Sequence, residues 1–363
     1  MAGDIAGKAS PEVLNQLGEK LAEVSDICFF ILAASTIVEV MDAHQGFRVI
    51  TQVSILNLLQ SNYTIKKLIL TFFSSFETSK FLKTNSQRQL FINISILTFF
   101  LSAVLNNLTV TIVMISLIRK LVPSLEERRL FGALVVVAAN AGGVWTPIGD
   151  VTTTMLWING NLSTIPIISD LFLPSVTSLL ISTMLLLPSV KQMSDDQELS
   201  IVTQGTGIAP EEELAPRGNI VFTTGILSLL AVPLFAETTG LPPYLGMLSG
   251  LGVVWILTDL IHAGDDNRRD YRVPSALGKL DTSGILFFFG VLLSVGALDS
   301  SGLLKELAVA LSDKINNINV IASLIGLASA VIDNVPLVAA TMAMYDNTQY
   351  PIDDPLWQLI AYW

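Results

Sequence analysis

The sequence predicts an all-α polytopic membrane protein built from inverted repeats, with two re-entrant hairpins and one broken transmembrane helix. Three observations carry this prediction. Of 363 residues, 51% are hydrophobic and only 14% charged, against roughly 25% charged in ordinary soluble domains. The apolar residues gather into runs near the ~20 residues that a bilayer demands. Finally, the octapeptide Ser-Ala-Val-Leu-Asn-Asn-Leu-Thr at 102–109 returns at 329–336 as Ser-Ala-Val-Ile-Asp-Asn-Val-Pro. Each copy lies inside a long apolar segment, as in repeat-built membrane folds.

Composition narrows the class further. The formal net charge of −11 comes from loops and tails, including the acidic stretch 191–217 with Asp195, Asp196, Glu198 and Glu211–Glu213. That balance excludes nucleic acid as a partner and leaves the lipid bilayer and small ions. Cys28 is the single cysteine, so neither an intrachain disulfide nor a multi-cysteine metal pattern can form. Residues 1–23 mix acids and bases without an apolar core, unlike a secretory signal or an Arg-rich transit peptide.

Taken in order, the first span is expected at 24–41. The segment 92–118 carries Asn106-Asn107 at its middle and basic residues on both flanks, Lys80, Lys83 and Arg88 before and Arg119, Lys120, Arg128 and Arg129 after. A straight crossing would put positive charge on both faces. A re-entrant hairpin with the Asn pair at its tip keeps both flanks on the cytoplasmic side. Further spans follow at 130–157, 171–190, 219–235, 243–261 and 284–300, with 191–217 and the Arg268, Arg269, Arg272, Lys279 loop on that same side. The second hairpin, 318–345, then enters from the opposite face, which makes the halves inverted repeats.

The halves are unequal. The reading divides the chain into a first repeat (1–190), an acidic cytoplasmic-side loop (191–217) and a second repeat (218–363) that is incomplete at its C-terminus. Aligning Asp42 with Asp299 leaves the first half about 30 residues longer. The polar stretch 52–88 accounts for them as an insertion. The same spacing projects a partner for the Gly-rich motif to about residue 367.

The chemistry-bearing residues fall in three places. Asn140-Ala-Gly-Gly-Val-Trp-Thr-Pro-Ile-Gly-Asp150 interrupts the span 130–157, and Asn140, Gly142, Gly143, Pro147 and Gly149 are expected to break the helix and free its carbonyls. Asp333, beside Asn334, stands in an apolar segment; a carboxylate at membrane depth costs ~2.5–3.5 kcal/mol and is retained for binding or proton transfer. Together Asn106, Asn107, Thr109, Thr146, Asp150, Asp333 and Asn334 form an all-oxygen set suited to a hard alkali cation. Asp150 and Asp333 are its charged members, expected to hold sodium or a proton in competition. Glu39, Asp42 and His44 read as a solvated helix end, and neither His44 nor His262 is assigned a role.

At these residues the chain resembles the NhaD-type sodium/proton antiporters of the ion transporter superfamily. The matching stretches are NAGGVWTPIGDVTTTML at 140–156, RVPSALGKLDTSGILFFFGVLLSVGAL at 272–298 and SAVIDNVPLVAATMAMY at 329–345. The wording is most similar to the plant branch, whose members reside in the chloroplast envelope. The resemblance implies a carrier rather than an enzyme, exchanging sodium or lithium for protons by an elevator-like movement. It implies no cofactor beyond the transported ions, and a homodimer is compatible with it. The family carries an aspartate where this chain has Asn106, which removes one carboxylate from the first hairpin.

Three rival readings remain open at this point. One is a truncated, non-transporting family member. Another is a dicarboxylate or arsenite carrier of the same superfamily, against which Asp150 and Asp333 argue by like-charge repulsion. The last is an intramembrane aspartyl protease, since Tyr345-Asp346 and Ile148-Gly149-Asp150 imitate parts of its motifs. Their order is reversed, and Pro147 stands where that motif needs glycine.

Overall fold

The computed structural model describes residues 11–46, 87–122, 124–190, 217–264, 266–315, 317–345 and 347–362. Fourteen α-helices and no strand occur among the described residues, which agrees with the expected all-α polytopic class. The insertion expected at 52–88 lies outside the described residues except for its last two, and so do the acidic loop short of Arg217 and Asp346 of the protease-like motif.

Helix α1 (Pro11–Ala43) begins well before the expected residue 24 and runs 33 residues, about 50 Å of helix. Its first turns are rich in Glu, Leu and Lys, good helix formers. Lys20 also anchors them, bridging Glu23 at 2.9 Å and Asp299 at 3.1 Å. The charged N-terminal end is therefore held against another helix.

The first hairpin is α2 (Gln87–Ser102) and α3 (Asn107–Leu121), joined by a turn at 103–106. At 16 and 15 residues each arm rises only about 22–24 Å, too short for a ~30 Å hydrocarbon core. Helix α4 (Leu125–Val144) follows, and Phe131 meets Phe91 of α2 edge-on at 4.9 Å. Residues 145–150 then leave helical geometry before α5 (Val151–Ile158). This is the expected break. Helix α6 (Thr164–Leu186) starts earlier than the expected 171 and carries Pro174 in its interior. The Pro174 carbonyl accepts from the Tyr362 hydroxyl at 3.4 Å.

In the second half, α7 (Gly218–Thr239) and α8 (Pro243–Ile261) pack together and against α1. A short helix, α9 (Val273–Lys279), leads to α10 (Thr282–Ser300) and the amphipathic α11 (Leu303–Lys314). The second hairpin is α12 (Ile318–Ser329) and α13 (Asn334–Met344), and α14 (Pro355–Tyr362) closes the described chain against α12, α5 and α6. Helices α9, α11 and α14 escape a search for spans because they are short or too charged to cross.

Among the described residues, five helices are long and apolar enough to cross a membrane: Gly18–Ala43, Gly218–Thr239, Pro243–Ile261, Thr282–Ser300, and α6 with the 3-10 turn that extends it to Ser189. Burial sorts them. The apolar window of the first is 50% buried and that of α10 only 11%. Leu173, Leu185, Leu260 and Leu286 stand open on the surface, an apolar exterior that suits lipid rather than water. The first helix is the central post, touching α7, α8, α9, α10 and α5.

Candidate cation site

The first hairpin and the broken helix meet through backbone contacts that only small residues allow. A Cβ on Gly142 would lie 2.1 Å from the Phe99 carbonyl oxygen, and one on Gly149 would lie 2.6 Å from both Gly143 O and Ser102 O. Such distances cannot exist between real atoms, so these glycines permit the close approach. The Thr146 hydroxyl secures it, donating to the Ala103 carbonyl at 2.6 Å and accepting from the Gly149 amide at 3.1 Å. Pro147 prevents the helix from continuing, and its carbonyl, freed by the break, accepts from Thr154 Oγ1 at 2.8 Å. Thr153 likewise covers the Val144 carbonyl at 3.2 Å. The threonine run thus satisfies the acceptors that the break exposes.

Asp150 is the N-cap residue of α5. Its Oδ1 accepts from Asn107 Nδ2 at 2.9 Å, and its Oδ2 accepts from the Thr152 hydroxyl. The same Asn107 amide nitrogen reaches Asn140 Oδ1 at 3.0 Å. Both partners of the carboxylate are uncharged. A carboxylate offers about four lone-pair positions, so two remain for an ion. Asn106, the N-cap of α3, accepts from the Leu108 amide at 2.9 Å through its side-chain oxygen.

Between these groups and α1 lies a cavity of about 40 Å³, with Asn106, Thr109, Gly149, Asp150 and Thr154 on one side and Ser35 on the other. Phe30, Val38, Leu229 and Met247 close the remainder. A water needs ~10–15 Å³ by this measure, so the space takes one partly hydrated small ion. Ser35 escapes sequence reasoning. The signal for it is faint, a Ser-Thr pair in an otherwise apolar span.

Of the sequence-derived set, the structure brings together Asn106, Asn107, Thr109, Thr146 and Asp150, with Asn140 in support. Asp333 and Asn334 do not line the cavity. Asp333 caps α13, accepting from the Val335 amide at 3.1 Å, and is exposed rather than enclosed by other helices among the described residues. Its apolar flanks do not bury it among the described residues. The tip residues Val331 and Ile332 are themselves exposed, so the hairpin end has nothing packed over it among the described residues. It does run beside α5 in the same direction: Met155 clusters with Val335 and Ala339, Asn159 reaches Met342, and Asn161 Nδ2 donates to Asn347 Oδ1 at 2.9 Å. The N-terminal ends capped by Asp150 and Asp333 therefore point the same way. Only the first site is assembled.

At the end of α1, His44 is fully buried, not solvated, and pairs with the equally buried His262. The helix end is covered by the start of α7 and by segment 266–272.

A helix broken beside a pair of short helices joined at an Asn-bearing tip, within a bundle that holds membrane-length helices, is an architecture of integral membrane proteins that many secondary carriers share. Sequence comparison gives the family: the chain belongs to the one described as "Citrate transporter", whose match covers residues 13–362. It is 49% identical to "Sodium/proton antiporter 1" of Arabidopsis thaliana over 98% of this chain and 56% of that protein. It is 48% identical to "Sodium/proton antiporter 2" of the same plant over 96% of this chain and 75% of the relative. To "Na(+)/H(+) antiporter NhaD" of Vibrio cholerae it is 29% identical over 68% of this chain and 54% of the relative. The chain thus spans between about half and three quarters of the length of these relatives.

Proposed function

We propose that the protein exchanges sodium or lithium for protons across a membrane, using the Asn106–Asp150 cavity as its ion site. The observation that carries this reading is Asp150: a carboxylate in a small oxygen-lined cavity, oriented by two uncharged donors and open to one further cation. Sodium and a proton there are mutually exclusive, so each displaces the other. The names of the plant and bacterial relatives support the same cargo.

Asn106, Thr109 and Ser35 line the cavity with neutral oxygens, and Asp150 supplies the charge that a desolvated cation requires. No cofactor takes part. Asp333, at the parallel N-terminus of α13, is the second carboxylate of the reading. It stands outside the cavity. The resemblance to the plant branch supports a chloroplast envelope location, and the exposed apolar face of α10 is suited to lipid or to a second copy of the chain.

Citrate carriage is the competing reading, favoured by the family description and by helix N-termini, which attract anions. At the Asn106–Asp150 cavity, size opposes it. About 40 Å³ is far below the ~300 Å³ of sites that enclose organic ligands, and Asp150 would repel a carboxylate. Proteoliposomes holding this chain and a pH-sensitive dye decide between them. Proton movement triggered by sodium or lithium and not by citrate supports exchange; uptake of labelled citrate without a sodium response overturns it.

A further inference from the structure

Away from the cation cavity, the two histidines of the chain meet each other. His44, one residue past α1, and His262, which ends α8, are both fully buried. Their Nε2 atoms lie 2.9 Å apart. A single proton therefore lies between them, since two would collide and none would leave two lone pairs opposed. His44 Nδ1–H donates to the Val40 carbonyl at 2.7 Å, so tautomer logic makes its Nε2 the acceptor and His262 Nε2–H the donor. Tyr271 lies against both rings, with centroids 5.3 Å from His44 and 5.4 Å from His262. Arg272 Nη2 donates to the His262 carbonyl at 2.6 Å. The start of α7 is equally close, for a Cβ on Gly218 would lie 2.6 Å from His44 O.

We propose that His44 and His262 form a one-proton binding site, separate from the cation cavity, through which pH governs the attachment of α1 to segment 262–272. Uptake of one proton converts the imidazole–imidazole bridge into an imidazolium–imidazole bridge with one positive charge. A second proton would set two cations 2.9 Å apart and is excluded by repulsion. The elements packed around the pair carry Glu39 and Asp42 on α1, Asp259 on α8, Arg268, Arg269, Asp270, Tyr271 and Arg272 on segment 266–272, Lys279 on α9 and Arg217 at the start of α7. Arg272 is the charge in direct contact, on the His262 backbone. A proton on the pair encloses a positive charge among buried groups and beside that guanidinium, a cost that favours opening of the contact between α1 and segment 262–272.

The consequence for exchange rests on the proposed function, because α1 also forms one wall of the cation cavity through Ser35 and Val38. Acid loosens the wall without touching Asp150. The maximal exchange rate then falls with acidity while the sodium concentration for half-saturation stays constant.

Because these are the two histidines of the chain, uniform ¹⁵N-histidine labelling of the full protein, purified without a histidine tag, reads the pair directly. The expected result is one protonation step per chain, moving both rings' shifts together, with coupling across the Nε2–Nε2 bond. Two independent steps near the ordinary histidine value, or no common step, overturn the proposal whether or not the protein exchanges sodium. Proteoliposomes of His262→Gln and His44→Gln supply the second arm. Their acid midpoint for maximal rate is expected to move by at least about one pH unit with sodium half-saturation unchanged. An acid limb identical to wild type in both variants contradicts the link to exchange.

Discussion

Asn106 and Asp333 hold the same backbone position in two different hairpins. Each caps the second arm, with φ/ψ of −55°/139° and −51°/132°, and each accepts, through its side chain, the amide two residues on, at 2.9 Å and 3.1 Å. The octapeptide repeat is thus a repeat of local geometry. What differs is charge, an amide at one tip and a carboxylate at the other.

Substitution Asn106→Asp is isosteric, keeps the cap and adds a carboxylate to the cavity wall beside Asp150. Sodium half-saturation is expected to fall roughly tenfold, about 1.4 kcal/mol, a fraction of the attraction between unit charges a few ångströms apart. Asn106→Ala, by contrast, loses the cap and about 1 kcal/mol of stability. Sodium titration of exchange and thermal unfolding in detergent check the two.

Asn107 holds Asp150 without lining the cavity. Asn107→Ala is expected to slow exchange about tenfold by freeing the carboxylate from its orientation, a loss of ~1.4 kcal/mol in line with one hydrogen bond to a charged group. Asp150→Asn removes the charge itself and is expected to abolish exchange. Initial rates in proteoliposomes distinguish a reduced rate from none.

Gly142→Ala and Gly149→Ala place a methyl group against backbone that cannot move aside. Overpacking of this kind costs about 1–3 kcal/mol and sometimes more. Gly252→Ala, where a Cβ meets nothing within 4 Å, is expected to leave the melting temperature unchanged or slightly raised. Thermal unfolding of the three variants side by side is the check.

Burial pushes His44 below the ordinary histidine value, outweighing the raising effect of its bond to Val40. The sign follows from proton counting. Between the folded value and the ordinary ~6.5, the unfolded chain binds more protons, so stability rises with pH there. The contribution is complete above ~6.5 and is lost as pH falls through the folded value. Melting temperatures of wild type should decline across that window, and those of His44→Gln should decline less.

Much of this fold is legible in the residues because the bilayer restricts the options. Spans such as Pro243–Ile261 follow from apolar length, and the break at 145–150 follows from Gly142, Gly143, Pro147 and Gly149, which no continuous helix would favour. The hairpin was readable from Asn106-Asn107 in an apolar run with basic flanks. Other features depend on contacts that no local pattern encodes. The early start of α1 rests on the Lys20–Asp299 bridge, and the partnership of His44 with His262 joins residues far apart in sequence. Ser35 enters the cavity wall only because α1 crosses beside Asp150. Asp333 shows the opposite error: apolar neighbours in sequence did not bury it, because exposure at a hairpin tip is decided by what packs over the tip.

The central claim, that one carboxylate holds either sodium or a proton, is tested most directly by proton release on sodium binding. Purified protein in weakly buffered detergent is given sodium at a series of starting pH values while free protons are recorded. The account predicts release of up to about one proton per chain, as competition for a single carboxylate requires, and its loss in Asp150→Asn. Sodium binding without proton release at every pH, or equal release from Asp150→Asn, would contradict it.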